Sequence, residues 1–184
     1  MKRLPDSWKR GRPDIVHFAL MEALSTPLFL KGMLKVYVHT INDFVITIAD
    51  NLRVPKSYFR FEGLMMSLFR DREVKSQEGT ALMKLANGTF SSLINSIGAD
   101  KTVGLSTTGV RSSVHKVADI ARRLDHCAFV IGGFPNGHFS EKVTKNLGPT
   151  YSISDIGLEA HVVIARILYE SELLEEGVNH ESNE

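Results

Sequence analysis

Cysteine is nearly absent: Cys127 is the one thiol in 184 residues, so no disulfide can close within a single chain. It sits at an apparent strand and reads as a small buried hydrophobe. This usage points to a reducing compartment, most simply the cytosol. Long apolar runs are also missing. No stretch approaches the roughly 18 apolar residues of a membrane-spanning helix, so no membrane partner is expected. The first residues are basic and contain Pro5, without the apolar core of a signal peptide. The seven histidines, among them His17, His39 and His138, are scattered and form no compact ligand motif with Cys127, so no metal site is predicted. There is no Gly-Lys-Ser/Thr phosphate loop and no GxGxxG after a strand. Gly104-Leu105-Ser106-Thr107-Thr108-Gly109 spaces its second glycine one residue too far for a nucleophile elbow.

What remains is an ordinary globular composition, 43% hydrophobic and 23% charged, expected to form one domain over residues 1–184. Net charge is only +1, but its distribution is uneven. Residues 1–12 carry five bases (Lys2, Arg3, Lys9, Arg10, Arg12) against Asp6, and residues 170–184 carry six glutamates with no Lys or Arg. Removing both ends leaves a body of +3, mildly basic behind an acidic tail. Residues 1–11 are expected to be irregular, and the tail from residue 170 solvated.

Pro13 fits the first turn of a helix through Ile15–Leu24. Leu34–Thr40 and Phe44–Ile48, joined at Asn42-Asp43, predict a hairpin. Asn51–Phe59 reads as a loop around Pro55, and Arg60–Arg70 and Thr80–Ile97 as helical stretches, the second broken at Asn87-Gly88. From residue 101 three short strands follow, Thr102–Leu105, Ala128–Ile131 and Tyr151–Ile153, each leading into a loop rich in Gly, Ser or Thr. Val114, Val117, Ala118, Ala121 and Leu124 recur at helical spacing. Leu158–Tyr169 is apolar nearly all round and needs cover on more than one side, which a second subunit can supply. Alternating strands and helices predict an α/β fold with a mainly parallel sheet.

Two constellations carry chemistry. Loops 104–109, 132–138 and 152–158 follow predicted parallel strands and can converge on a ligand outside their carboxyl ends, although any one of them alone reads as an ordinary turn. Gly132, Gly133 and Gly137 let a ligand approach the main chain closely. The second constellation is basic: Arg53, Lys56 and Arg60 flank Pro55, with Tyr58, Phe59 and Phe61 interleaved. Cations neutralise phosphates and aromatic faces stack exposed bases, which suits RNA; a solvated loop with its aromatics turned inward has the same pattern. Arg12 and Asp14 around Pro13 form a smaller cluster, readable also as a local ion pair at a helix start.

The runs GRPDIVHFAL (Gly11–Leu20), VYVHT (Val36–Thr40), RVPKSYFRFEGLM (Arg53–Met65), IGGFPNGH (Ile131–His138) and SISDIGL (Ser152–Leu158) together resemble one family, in order, across residues 11–169. It is the small-subunit rRNA pseudouridine N1-methyltransferases, or nucleolar essential protein family, of the SPOUT class. The resemblance implies a knotted α/β methyltransferase with a C-terminal trefoil knot over about residues 100–169, a homodimer, and S-adenosyl-L-methionine as cofactor with S-adenosyl-L-homocysteine as product. Cofactor contacts would fall at Leu105, Gly132, Gly137, Ile153, Ser154, Asp155, Ile156, Gly157 and Leu158. RNA contacts would fall at Arg12, Arg53, Lys56 and Arg60, with Asp14 holding the neighbouring arginine. Lys56 stands where the family's R-x-P-R-x-x-x-R motif has arginine; it keeps the charge and loses the bidentate fork. Members carry a further strand-bearing segment ahead of the Arg-Pro-Asp motif, whereas ten residues precede Gly11 here, as in a trimmed chain or one with a misplaced start.

The implied reaction is methyl transfer to N1 of a pseudouridine. Either Arg12 or Arg53 would stabilise the charge left by the departing N1 proton, or Asp14 would take that proton. Partners would be small-subunit rRNA, a second copy of the chain and a ribosomal protein, with no DNA. The setting would be cytoplasmic in a prokaryote and nucleolar in a eukaryote. Two other readings use the same surface: a non-catalytic rRNA-binding assembly factor, and a SPOUT methyltransferase acting on another RNA such as tRNA.

Overall fold

The computed structural model describes Lys9 and residues 12–98, 102–124 and 126–181. The expected irregularity of residues 1–11 lies almost wholly outside them. Helix α1 (Pro13–Ala23) begins on Pro13, as the sequence predicts. A short α2 (Pro27–Leu30) follows, capped by the Thr26 side chain, which accepts from Phe29 N. Strands β1 (Tyr37–His39) and β2 (Phe44–Ile48) form the hairpin, and Asp43 takes the turn with φ 56°. Asp tolerates that left-handed conformation better than most side chains. Helix α3 (Tyr58–Asp71) buries Phe61 and Leu68, two turns apart on one face, and ends where Arg72 turns left-handed.

The stretch after α3 departs from expectation. Residues 80–87 are not helical: β3 (Glu73–Lys75) and β4 (Ala81–Asn87) are strands, and only α4 (Phe90–Ile97) is a helix. Ala81–Asn87 is rich in helix formers, yet β4 pairs antiparallel with both β2 and β3. Its Met83 and Leu85 point inward around exposed Lys84, opposite Ile48 and Ile46 of β2. Sheet pairing and a half-buried face outweigh helix propensity of a few tenths of a kcal/mol per residue. The first sheet, in order β1-β2-β4-β3, is therefore wholly antiparallel.

The expected parallel sheet occupies the C-terminal half: β5 (Thr102–Arg111) lies between β6 (Ala128–Ile131) and β7 (Thr150–Ser152). β5 runs beyond Leu105, so residues 104–109 are not a free loop. Leu105 and Val110 both pair with Tyr151, and Ser106–Gly109 is an excursion between them. Helix α5 (Val114–Arg122) turns Val117, Ala118 and Ala121 inward, as their spacing predicts. After the short α6 (Glu141–Thr144), helix α7 (Ala160–Glu181) is the last element among the described residues and extends well into the acidic segment. Residues 170–181 are therefore helical. Glu170 pairs with His115 Nδ1 at 3.1 Å, and Glu172 accepts from Leu28 N at 3.4 Å.

Two cores result. Leu20, Leu24, Phe29, Ile46, Phe61, Leu68 and Met83 pack over the antiparallel sheet. Ala23, Val103, Leu105, Val117, Ile153 and Ile167 pack around the parallel one. Helix α1 contributes to both and lies against α7 and α3.

Glycines separate tight packing from open helix surface. A methyl group at Gly148 would lie 2.2 Å from the Thr102 carbonyl oxygen, whereas one at Gly63, within α3, would meet nothing within 4 Å. Gly148→Ala is expected to lower stability by about 2 kcal/mol or more through backbone displacement. Gly63→Ala should raise it by about 0.5–1 kcal/mol through helix propensity. Urea denaturation of both variants checks the contrast.

Candidate functional site

In a parallel sheet all carboxyl ends point the same way, so the segments after β6 and β7 and the Ser106–Gly109 excursion share one edge. Leu105 and Ile153 are buried there, at 6% and 8% exposure, while Ile156 and Gly157 are exposed. Gly137 adopts φ 87°, a conformation open to glycine and strained for other residues. A Cβ at Gly132 would meet the Phe134 ring at 2.8 Å, so that ring closes over the main chain. Ser154, Asp155 and Leu158 complete the segment after β7. Ser152 Oγ donates to the Ser154 carbonyl at 2.8 Å, and Ile156 N donates to Ser154 Oγ at 3.2 Å.

Arg111 secures this segment. Its Nε pairs with Asp155 Oδ1 at 2.7 Å, and its Nη1 donates to the Ser112 and Ser152 carbonyls, each at 3.2 Å. Asp155 is thus engaged by Arg111, which lies beyond the Thr102–Leu105 strand that the sequence predicts and carries no local sign of this role.

The start of α1 lies beside these loops. Lys9 Nζ donates to the His138 carbonyl and stands 4.8 Å from the centroid of the Phe134 ring. A methyl group at Gly133 would touch Val16 Cγ2 at 3.9 Å. Arg12 and Asp14 form a forked pair, with Nε to Oδ1 at 2.9 Å and Nη2 to Oδ2 at 2.7 Å. The hydrogen-bonded Arg12 guanidinium holds the Asp14 carboxyl below its ordinary value. The bond to Asp14 and its charge raise Arg12 in turn, with a smaller contribution from the charge of Glu159. Glu159 directly follows the segment after β7, so Arg12 lies within electrostatic reach of the second loop as well.

Arg53, Lys56 and Arg60 are all exposed on the loop and first turn leading into α3. The interleaved aromatics divide between the two roles open to them: Phe61 is fully buried and Phe59 is 81% exposed. His17, dismissed with the scattered histidines, ties this loop to α1 by bonding the Pro55 carbonyl at 2.7 Å. No cluster of His, Cys, Asp or Glu suited to a metal ion occurs among the described residues, and no helix there is long and apolar enough to cross a membrane.

Main-chain-rich loops at the carboxyl edge of a parallel sheet, with guanidinium groups alongside, define a ligand-binding α/β protein with an anion-facing surface. A model of the EMG1/NEP1 methyltransferase family matches residues 1–172. The ribosomal RNA small subunit methyltransferase Nep1 of Methanothrix thermoacetophila is 38% identical, over 95% of this chain and 76% of its own length. That of Thermococcus sibiricus is 39% identical over 95% and 78%. The crystal structure of Archaeoglobus fulgidus Nep1 bound to S-adenosylhomocysteine superposes with a TM-score of 0.82 at 31% identity, covering 96% of this chain and 77% of that one. The chain belongs to the EMG1/NEP1 methyltransferase family.

Cys127 directly precedes β6 and is partly buried, and desolvation pushes its thiol up to about 11. Its alkylation by iodoacetamide in the native chain should climb about tenfold per pH unit between pH 8 and 10, following the thiolate fraction. In guanidinium chloride the rate should level off near the ordinary value of 9.0.

Proposed function

We propose that this chain transfers a methyl group from S-adenosyl-L-methionine to N1 of a pseudouridine in small-subunit ribosomal RNA. The supporting observation is adjacency: Val16 of α1 lies beside Gly133 and Lys9 beside Phe134, both in the loop after β6, while Arg12 lies in the field of Glu159 beside the loop after β7. One element thereby places cations for RNA beside the segments suited to the cofactor.

The residues present fit that cofactor. Leu105 and Ile153 supply apolar walls, and a Cβ at Gly157 would meet nothing within 4 Å, leaving open space beside exposed main chain. Gly132, Gly137 and the run Ile153–Leu158 would hold it through backbone groups, which read adenine without charged side chains. When bound, S-adenosyl-L-methionine supplies an already electrophilic methyl group, so the chain's task is to orient the base, exclude water and manage one proton. Methylation would replace the N1 proton, which would pass to solvent water, and S-adenosyl-L-homocysteine would be the other product. The negative charge this develops on the ring carbonyls faces Arg12 or Arg53.

Asp14 acts by holding Arg12. Both carboxylate oxygens are taken up by the guanidinium, and its lowered pKa makes it a poor base. The pair persists above the ordinary Asp value of 3.8 and is lost as pH falls through the lowered value, so Asp14 adds no inflection to rates between pH 5 and 8. Arg53, Lys56 and Arg60 bind the RNA backbone, and exposed Phe59 stands among them to stack on a base. A homodimer covers the stripe of His161, Tyr169 and Leu173 on α7 together with Phe18, whose ring lies 5.8 Å from that of His161. A C-terminal trefoil knot accords with this reading.

Two assays test it. Labelled S-adenosyl-L-methionine is offered with two rRNA hairpins identical except for pseudouridine or uridine in the loop, and label is expected on the first alone. Label on both would place the specificity elsewhere, and tight binding without label would favour an assembly factor. Asp14→Asn should raise the KM for RNA several-fold and lower kcat less than tenfold, whereas an obligatory general base would cost about 10²–10⁴-fold in kcat.

A further inference from the structure

His17 takes no part in the chemistry above, yet it is 1% exposed in the middle of α1. Its Nε2 donates to the Pro55 carbonyl at 2.7 Å, and its ring stacks on Phe61 with centroids 4.5 Å apart and planes at 23°. A carbonyl oxygen only accepts, so Nε2 bears the hydrogen of this bond. The other nitrogen, Nδ1, is buried with no hydrogen-bond partner among the described residues. A buried ring nitrogen without a partner costs stability, so packing alone would be better served at position 17 by leucine or phenylalanine. What histidine adds is the donor.

The place where that donor lands gives it meaning. Pro55 lies between Arg53 and Lys56, in a stretch belonging to no helix or strand, and Phe61 directly follows Arg60. His17 therefore grips the basic segment at two points, the carbonyl between two of its cations and the ring beside the third. The same helix begins next to Arg12, whose side chain is forked with Asp14.

We infer that His17 is a positioning residue, fixing Arg53, Lys56 and Arg60 relative to Arg12 so that both sets of cations meet one RNA segment. The inference rests on the reading of those residues as RNA contacts. Pre-organising the loop removes the ordering cost that binding would otherwise carry, so the effect falls on RNA engagement and leaves the cofactor loops unchanged.

The test uses the full chain, the pseudouridine hairpin and S-adenosyl-L-homocysteine. His17→Phe preserves ring packing and removes the donor; His17→Gln restores an N–H at similar reach. Expected for His17→Phe is a rise of about tenfold in RNA Kd and KM, with S-adenosyl-L-homocysteine affinity and kcat at saturating RNA within about twofold of the parent; His17→Gln should recover most of the loss. Unchanged RNA affinity in His17→Phe overturns the inference. So does a loss of cofactor and RNA binding together that His17→Gln fails to rescue, which marks a purely structural residue. The double variant Arg53→Ala/Arg60→Ala separates the two levels. If it loses RNA binding while His17→Phe does not, the inference fails and the RNA reading stands. If it binds RNA normally, the RNA reading fails and the inference with it.

Discussion

The packing of α1 between the two cores is the contact on which the rest of the molecule depends. Leu20 and Leu24 are buried with the antiparallel sheet, while Ala23 turns into the cluster around the parallel one. Each large apolar side chain buried this way contributes roughly 1.5–3 kcal/mol. Because both cores share the helix, its first turns are held beside the loop after β6, with Arg12 in the field of Glu159. The groups proposed to meet RNA and those proposed to hold the cofactor are thereby tied to one shared helix.

The same constraint explains the site's economy of charge. The loops suited to the cofactor present glycines, buried apolar walls and main chain, with Arg111 anchoring the only carboxylate in Ile153–Leu158. The cations stand outside, on the start of α1 and on the entry to α3. The glutamates that bring net charge close to zero are partly enlisted in structure, Glu170 against His115 and Glu172 against the amide of Leu28. Overall charge is therefore a poor guide to this surface, and its distribution a better one.

Much of this was legible locally. The Pro13 start, the hairpin turn at Asp43 and the inward face of Val117, Ala118 and Ala121 follow from short-range sterics and helical period, and each stands where expected. The motif order around Arg12, Pro55, Gly132 and Ser152 was sufficient to single out the family. Residues 80–87 misled because their composition favours a helix and their alternation spans only a few positions. Residues 170–181 misled because acidity is as compatible with an exposed helix face as with a solvated tail.

By itself, then, the sequence determined the parts: which segments have the period of a helix, where turns must fall, and which cations and glycines were available for chemistry. Tertiary structure alone decided how they combine. β4 became a strand because β2 and β3 present open edges on both sides of it, partners that no local window contains. His17 gained a role because a carbonyl 38 residues away came within 2.7 Å. Such contacts depend on backbone directions and on the burial of a shared helix, and those exist only once the chain has closed on itself.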